Sequence, residues 1–129
     1  MKETAIKENH LYLKTFRQGA RFMGKTVAVY VLRDYAAKKL MLANPEKKYL
    51  NRLGLSVTKK VGGAVQRNRA KRIIRAAYRQ LVGQKPLKAG FLIVISAKPE
   101  IAGTSSKDVY ADLSRAMHKL DMYAKERTP

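Results

Sequence analysis

Apolar positions along this chain switch between a helical period and an alternating or continuous one, and the switches mark out its elements. Residues 9–18, NHLYLKTFRQ, set Tyr12, Leu13 and Phe16 at helical spacing ahead of Gly19, which predicts a first helix with a glycine stop. A short strand is expected over 20–23. Residues 25–33, KTVAVYVLR, are rich in the β-branched and aromatic side chains of a sheet strand. Over 52–59, Leu53, Leu55 and Val57 alternate with small or polar residues, the period of a strand with one buried face. Gly62 and Gly63 then allow a tight turn into a second helix over 64–81. A buried strand over 91–97, containing FLIVI, precedes a third helix over 105–123. In that helix Ser105 and Asp108 stand at capping-box spacing, and Val109, Leu113, Ala116, Met117 and Leu120 form one apolar stripe. Residues 34–51 show no firm period. A helical turn or two over 36–43 is conceivable, but the lysines and the Asn44-Pro45 break favour an exposed connection.

The second helix has two unlike faces. At about 100° per residue, Ala70, Ile73, Ile74, Ala77 and Leu81 cluster on one arc, while Arg67, Lys71, Arg75 and Arg79 recur at every fourth position on another, joined by Asn68 and Arg72. The ridge from Arg67 to Arg79 spans about 18 Å at ~1.5 Å per residue, enough to follow several phosphates of a nucleic-acid strand. As a free surface this face is unfavourable. Like charges four residues apart each cost about 0.2–0.5 kcal/mol in isolated helices, and Arg67 and Arg69 sit near the positive end of the helix dipole. No Asp or Glu occurs between Glu46 and Glu100, so Lys59 and Lys60 add to the same field.

Composition strengthens that picture. With 28 Lys plus Arg against 9 Asp plus Glu, the 129-residue chain carries a formal net charge of +19, and such a chain seeks a polyanion. The length suits one domain spanning 1–129, and the 46% of hydrophobic residues suffice for a core. No apolar run approaches the ~20 residues needed to span a bilayer, and the first ten residues lack the apolar centre of a signal peptide, so a cytoplasmic protein that does not engage membranes is expected. The chain has no cysteine, which excludes disulfides, thiolate zinc sites and cysteine nucleophiles. His10 and His118 are far apart in sequence and are expected to be solvated. A protein-only nuclease is disfavoured because no carboxylate or histidine cluster of hydrolase type is visible. A helix-turn-helix DNA reader is disfavoured as well, since a strand and a glycine turn, not a helix, precede the basic helix. On composition alone, a ribosomal or other structural RNA-binding protein stays open.

The ordered run from Leu53 to Arg75, LGLSVTKKVGGAVQRNRAKRIIR, closely resembles the signature of the protein subunit of bacterial ribonuclease P, including the Arg67-Asn68-Arg69 core and its flanking Lys71, Arg72 and Arg75. The resemblance extends from NHLYLKTFRQG through GFLIVISAKP into the third helix. It implies an α+β fold, a two-layer sandwich of order α-β-β-β-α-β-α, with a mixed four-stranded sheet and a left-handed β-α-β crossover around the basic helix. It also implies that a partner RNA performs hydrolysis, removing the 5′ leader of precursor tRNA, while the protein supplies binding.

On that resemblance, Lys59, Lys60, Arg67, Asn68, Arg69, Lys71, Arg72, Arg75 and Arg79 contact the catalytic RNA and the cleavage-site region. Tyr12, Phe16 and Tyr30, with Arg17 nearby, line a cleft for the single-stranded leader. Without the resemblance the three rings read as ordinary core, and only Phe16 divides evenly between core and cleft. Tyr12 departs from the phenylalanine common at its position but keeps a stacking face. The 34–51 segment is longer than the connection in many relatives. No residue is expected to be catalytic, a one-to-one complex with the RNA is expected, and the resemblance implies Mg²⁺ serving the ribonucleoprotein without a cofactor held by protein side chains alone.

Overall fold

The computed structural model describes residues 4–6, 9–34 and 51–124. Its elements are β1 (Thr4–Ala5), α1 (Asn9–Gln18), β2 (Ala20–Met23), β3 (Val27–Arg33), β4 (Arg52–Ser56), α2 (Ala64–Gln84), β5 (Phe91–Ala97) and α3 (Ser106–Lys119), with 3₁₀ turns at Lys59–Val61 and Pro99–Ile101. The sheet order is β1-β4-β5-β3-β2. Strand β3 runs antiparallel to both β2 and β5, whereas β4 and β5 are parallel with α2 as the crossover between them. This is the mixed four-stranded sheet with three helices that the resemblance implies. The two-residue β1 is added in parallel along the outer edge of β4. Periodicity could not reveal β1, because two residues carry no pattern and their pairing with Arg52 and Leu53 is a long-range contact.

The central strands are buried on both faces, which explains their continuous apolar runs. Val27, Val29 and Val31 of β3 and Ile93 and Ile95 of β5 pack with Ile74 and Leu81 of α2 and Leu113 and Met117 of α3. The alternate residues Leu92 and Val94 turn to the opposite face, where α1 brings Leu11, Tyr12 and Phe16. Each fully buried Ile, Leu or Met of the larger cluster contributes about 1.5–3 kcal/mol relative to exposure, so this cluster holds α2 in place despite its charge.

Several boundaries shift for identifiable reasons. Strand β3 starts at Val27, because Gly24 closes the preceding turn through its N–H to the Val27 carbonyl at 2.9 Å. Strand β4 stops at Ser56, after which the chain winds through the 3₁₀ turn and reaches Gly62 at φ 140°, a conformation that favours glycine. Helix α2 runs on to Gln84 before Pro86 precludes its continuation. Helix α3 ends at Lys119. Asp121 adopts a left-handed φ of 55°, and the chain folds back to bury Met122 and bridge Tyr123 to Leu87. Ser105 is its N-cap, and the Ser105 N–H donates to Asp108 Oδ2 at 3.0 Å. Leu13, expected on the apolar face of α1, is exposed, and Thr15 is buried there instead, its hydroxyl donating to the Leu11 carbonyl at 2.7 Å. The 34–51 connection, with its conceivable turn over 36–43, lies outside the described residues except for its ends.

Those ends are clamped. Arg52 donates through Nε to Asp34 Oδ2 at 2.6 Å and through a second guanidinium nitrogen to Oδ1 at 2.9 Å, a buried bidentate pair. Asn51 adds a hydrogen bond from its amide to the Lys88 carbonyl and accepts one from the Phe91 N–H. The start of β4 is thereby fixed against β5, which sets the register that carries the site.

Candidate nucleic-acid interface

Cross-strand register assembles the floor of a cleft on the α1 face. Arg21 pairs with Tyr30, Tyr30 with Val94, and Val94 with Gly54, so these four residues form one row across four strands. Phe16 of α1 meets Tyr30 edge to face, with ring centroids 4.8 Å apart at 82°. Tyr12 lies over Gly54: a Cβ added to that glycine would stand 2.6 Å from the ring. All three rings are half-buried, backed by Ile6, Leu92 and Val94. They are therefore both satellite core and cleft wall. Arg17, in the last turn of α1, is exposed, as are Lys59 and Lys60 in the 3₁₀ turn after β4.

The basic helix approaches this cleft around the sheet edge. A cavity of about 410 Å³ is lined by Ala5, Tyr12, Leu53, Leu55, Lys71 and Arg75. Strand β1 ends after pairing with Leu53, and the Ile6 N–H makes a last bond to the Leu53 carbonyl at 3.0 Å, so the cavity opens where that edge cover stops. Tyr12 of α1 and two cations of α2 thus share one hollow. The ridge and the aromatic cleft, separate features in the sequence, are contiguous in space.

Along α2 the ridge drifts by about 40° at every fourth residue. Arg67 and Lys71 are half-buried beside the core face, and Arg75 and Arg79 are exposed together with Asn68 and Arg72. The core arc is as expected, with Ala70, Ile74, Ala77 and Leu81 buried, Ile73 partly so and Tyr78 added. Arg69 turns to the other flank, where its guanidinium donates to the Thr104 carbonyl at 2.6 Å and ties the start of α2 to the loop before α3. The Arg67 Nε is buried without a hydrogen-bond partner. Gly63 gives α2 no side-chain cap, and its first turn holds no acidic residue, so the positive helix end is left to the cations around it. Such an end, with free N–H groups and guanidinium donors, suits phosphate oxygens.

Two contributors escaped sequence reasoning. Arg21 became visible only through its register beside Tyr30. Val65, 76% exposed in the first turn of α2, is an apolar side chain set among cations, and no periodic signal marks it. Among the described residues no group of three or more His, Cys, Asp or Glu side chains converges, so these residues do not fit a protein-only metal centre. No described helix is long and apolar enough to cross a membrane.

A protein-family model described as Ribonuclease P matches residues 1–121. A ribonuclease P protein component from Shouchella clausii is 35% identical over 123 residues, covering 95% of this chain and 90% of that protein. One from Clostridium acetobutylicum is 32% identical over 119 residues, covering 92% and 90%. Among solved structures, the RNase P protein of Staphylococcus aureus superposes with a TM-score of 0.70 at 23% identity, covering 95% of this chain and all of that one. That of Thermotoga maritima gives 0.66 at 21%, covering 88% and 94%. These two likenesses concern the fold.

Proposed function

The chain belongs to the ribonuclease P protein family, as the protein component of that ribonucleoprotein, and we propose that it works as follows. The reaction is removal of the 5′ leader from precursor tRNA in the cytoplasm. The protein binds a catalytic RNA subunit in a one-to-one complex, and that RNA carries out the hydrolysis. Cations of α2, with Lys59 and Lys60, hold phosphates of the catalytic RNA and of the substrate near the cleavage site. The leader runs through the cleft of Tyr12, Phe16 and Tyr30, flanked by Arg17 and Arg21.

The observation that carries this reading is the shared hollow of Tyr12, Lys71 and Arg75. A single strand lying on the aromatic rings can pass into the basic ridge without leaving the surface. Aromatic stacking beside a cationic track holds single strands with little sequence preference, at about 1–3 kcal/mol per stacked base. Arginine and lysine donate to phosphate and do not serve as general bases at neutral pH, which matches a binding role. Magnesium ions used by the ribonucleoprotein would rest on RNA oxygens, because the described side chains offer no carboxylate cluster.

Phe16→Ala tests the cleft. Affinity for leader-bearing precursor should drop about tenfold, within the range of one lost stacking partner, while affinity for mature tRNA stays the same. Equal losses for both ligands would show that Phe16 acts only through packing.

A further inference from the structure

A second cavity, of about 590 Å³, lies just past the ridge at the C-terminal end of α2 and shares no lining residue with the hollow of Tyr12, Lys71 and Arg75. It is walled by Phe22 of β2, by Tyr110 of α3 and by Tyr123 beyond it, and cations reach it from two elements: Lys85 just after α2, and Arg115 and Lys119 of α3. Among the described residues no carboxylate lines it. Its position follows from the helix directions. Arg69, near the start of α2, bonds to Thr104, just before α3, while Leu87 and Tyr123, just past the two helix ends, form a bridge. Helices α2 and α3 therefore run the same way, and the cavity sits at their far end. From Arg67 to Gln84 the separation is about 25 Å along the helix.

The lining is preorganised. Lys85 Nζ stands 4.3 Å from the centre of the Tyr123 ring, the Tyr123 hydroxyl is 3.3 Å from Ser114 Oγ, and the Tyr110 hydroxyl donates to Gln84 Oε1. Of the described acids nearby, Asp112 holds Thr26 and the cavity's own Arg115, and Asp121 holds Lys88. Arg115 is thus partly neutralised, though its side chain is 63% exposed. Lys119 has no ion pair among the described residues. Three aromatic rings beside three cations, in a volume within the ~300–1,000 Å³ range of ligand pockets, match a flat base attached to phosphate better than a purely apolar ligand.

We propose that this cavity is a second nucleotide-binding site, which holds one base of a single-stranded RNA against Tyr110 and Phe22 while Lys85 and Lys119 take the flanking phosphates. It gives the protein a point of attachment at the opposite end of α2 from the Arg67-Asn68-Arg69 turn. An RNA that engages both ends is fixed in direction along the helix, which the ridge alone cannot impose.

The test is residue-resolved NMR titration of the full chain with a single-stranded hexauridylate, and separately with uridine 5′-monophosphate. The hexamer should shift the amides around Tyr110, Lys119 and Tyr123 in a saturable way, and the mononucleotide should shift them only at much higher concentration. Tyr110→Ala should weaken the hexamer response at these amides about tenfold, as loss of one stacking partner does. Lys119→Ala, at an exposed position that leaves the core intact, should weaken it severalfold. The amides around Phe16 report the cleft separately, so failure of the leader reading would not be mistaken for failure here. Unmoved amides near Tyr110 while those near Phe16 saturate would overturn the proposal. So would a mononucleotide that binds as tightly as the hexamer, since the site would then serve a free nucleotide.

Discussion

The ring of Tyr12 closes over Gly54 so tightly that a β-carbon on the glycine would stand 2.6 Å from Cε1 and 2.8 Å from the hydroxyl oxygen. Helix α1 meets the sheet at that point because the strand offers no side chain there. Gly54→Ala should therefore push Tyr12 outward and open the hollow it shares with Lys71 and Arg75. The expected result is weaker binding of leader-bearing precursor with binding of mature tRNA little changed, and a loss of 1–2 kcal/mol in stability, roughly that of overpacking a core. Calorimetry alongside binding to the two RNAs separates the two effects.

The two arginines that flank Asn68 should behave differently. Arg69 bonds to Thr104, whereas Arg67 buries an Nε without a partner. Arg69→Ala should lower the stability of the free protein by about 1.5–3 kcal/mol, the usual loss for a hydrogen bond to a charged group. Arg67→Ala should leave that stability nearly unchanged. Arg67→Ala should nevertheless weaken association with the catalytic RNA and flatten the slope of log affinity against log salt by about one. Denaturant melts and salt titrations of both variants check this contrast.

Asp34 and Arg52 form a buried bidentate pair at the base of the 34–51 connection. Arg52→Met should destabilise the fold by about 3 kcal/mol, because the buried Asp34 carboxyl loses this bidentate partner. The double change Asp34→Leu with Arg52→Met should recover much of that loss, which thermal unfolding would reveal.

Asp112, buried beneath the β2–β3 turn, gives a pH signature. Burial pushes its carboxyl up, but hydrogen bonds from the Thr26 hydroxyl and N–H, together with Arg115, outweigh burial and hold it below its ordinary value. A depressed folded-state pKa means that its contribution is complete above the ordinary carboxylate range and is lost as the pH falls through the folded value. Asp112→Asn should lower stability at neutral pH and flatten the acid-side decline. Urea melts from pH 7 to pH 3 measure it, and an unaltered acid slope would show that another group carries the decline.

The sequence made the order of elements legible because each major element has its own period: alternation in β4, continuous apolar runs in β3 and β5, and helical stripes in α2 and α3. What it hid depends on pairing across distance. Strand β1 exists only through Arg52 and Leu53, and Arg21 joins the cleft only through its register with Tyr30. The ridge was visible because charge at every fourth position is a local pattern. Its junction with Tyr12 was not, since the edge where β1 stops brings them together. Arg69 looked equivalent to Arg67, and only the fold shows that it reaches Thr104.

In the proposed role this protein assists an RNA catalyst by gripping precursor tRNA. The direct measurement is the rate of 5′ leader removal by the catalytic RNA at low magnesium, with and without the protein. A marked acceleration by the wild-type chain, reduced by Phe16→Ala and by Arg67→Ala, is the predicted result. An unchanged rate on addition of folded wild-type protein would mean that it does not assist the RNA catalyst.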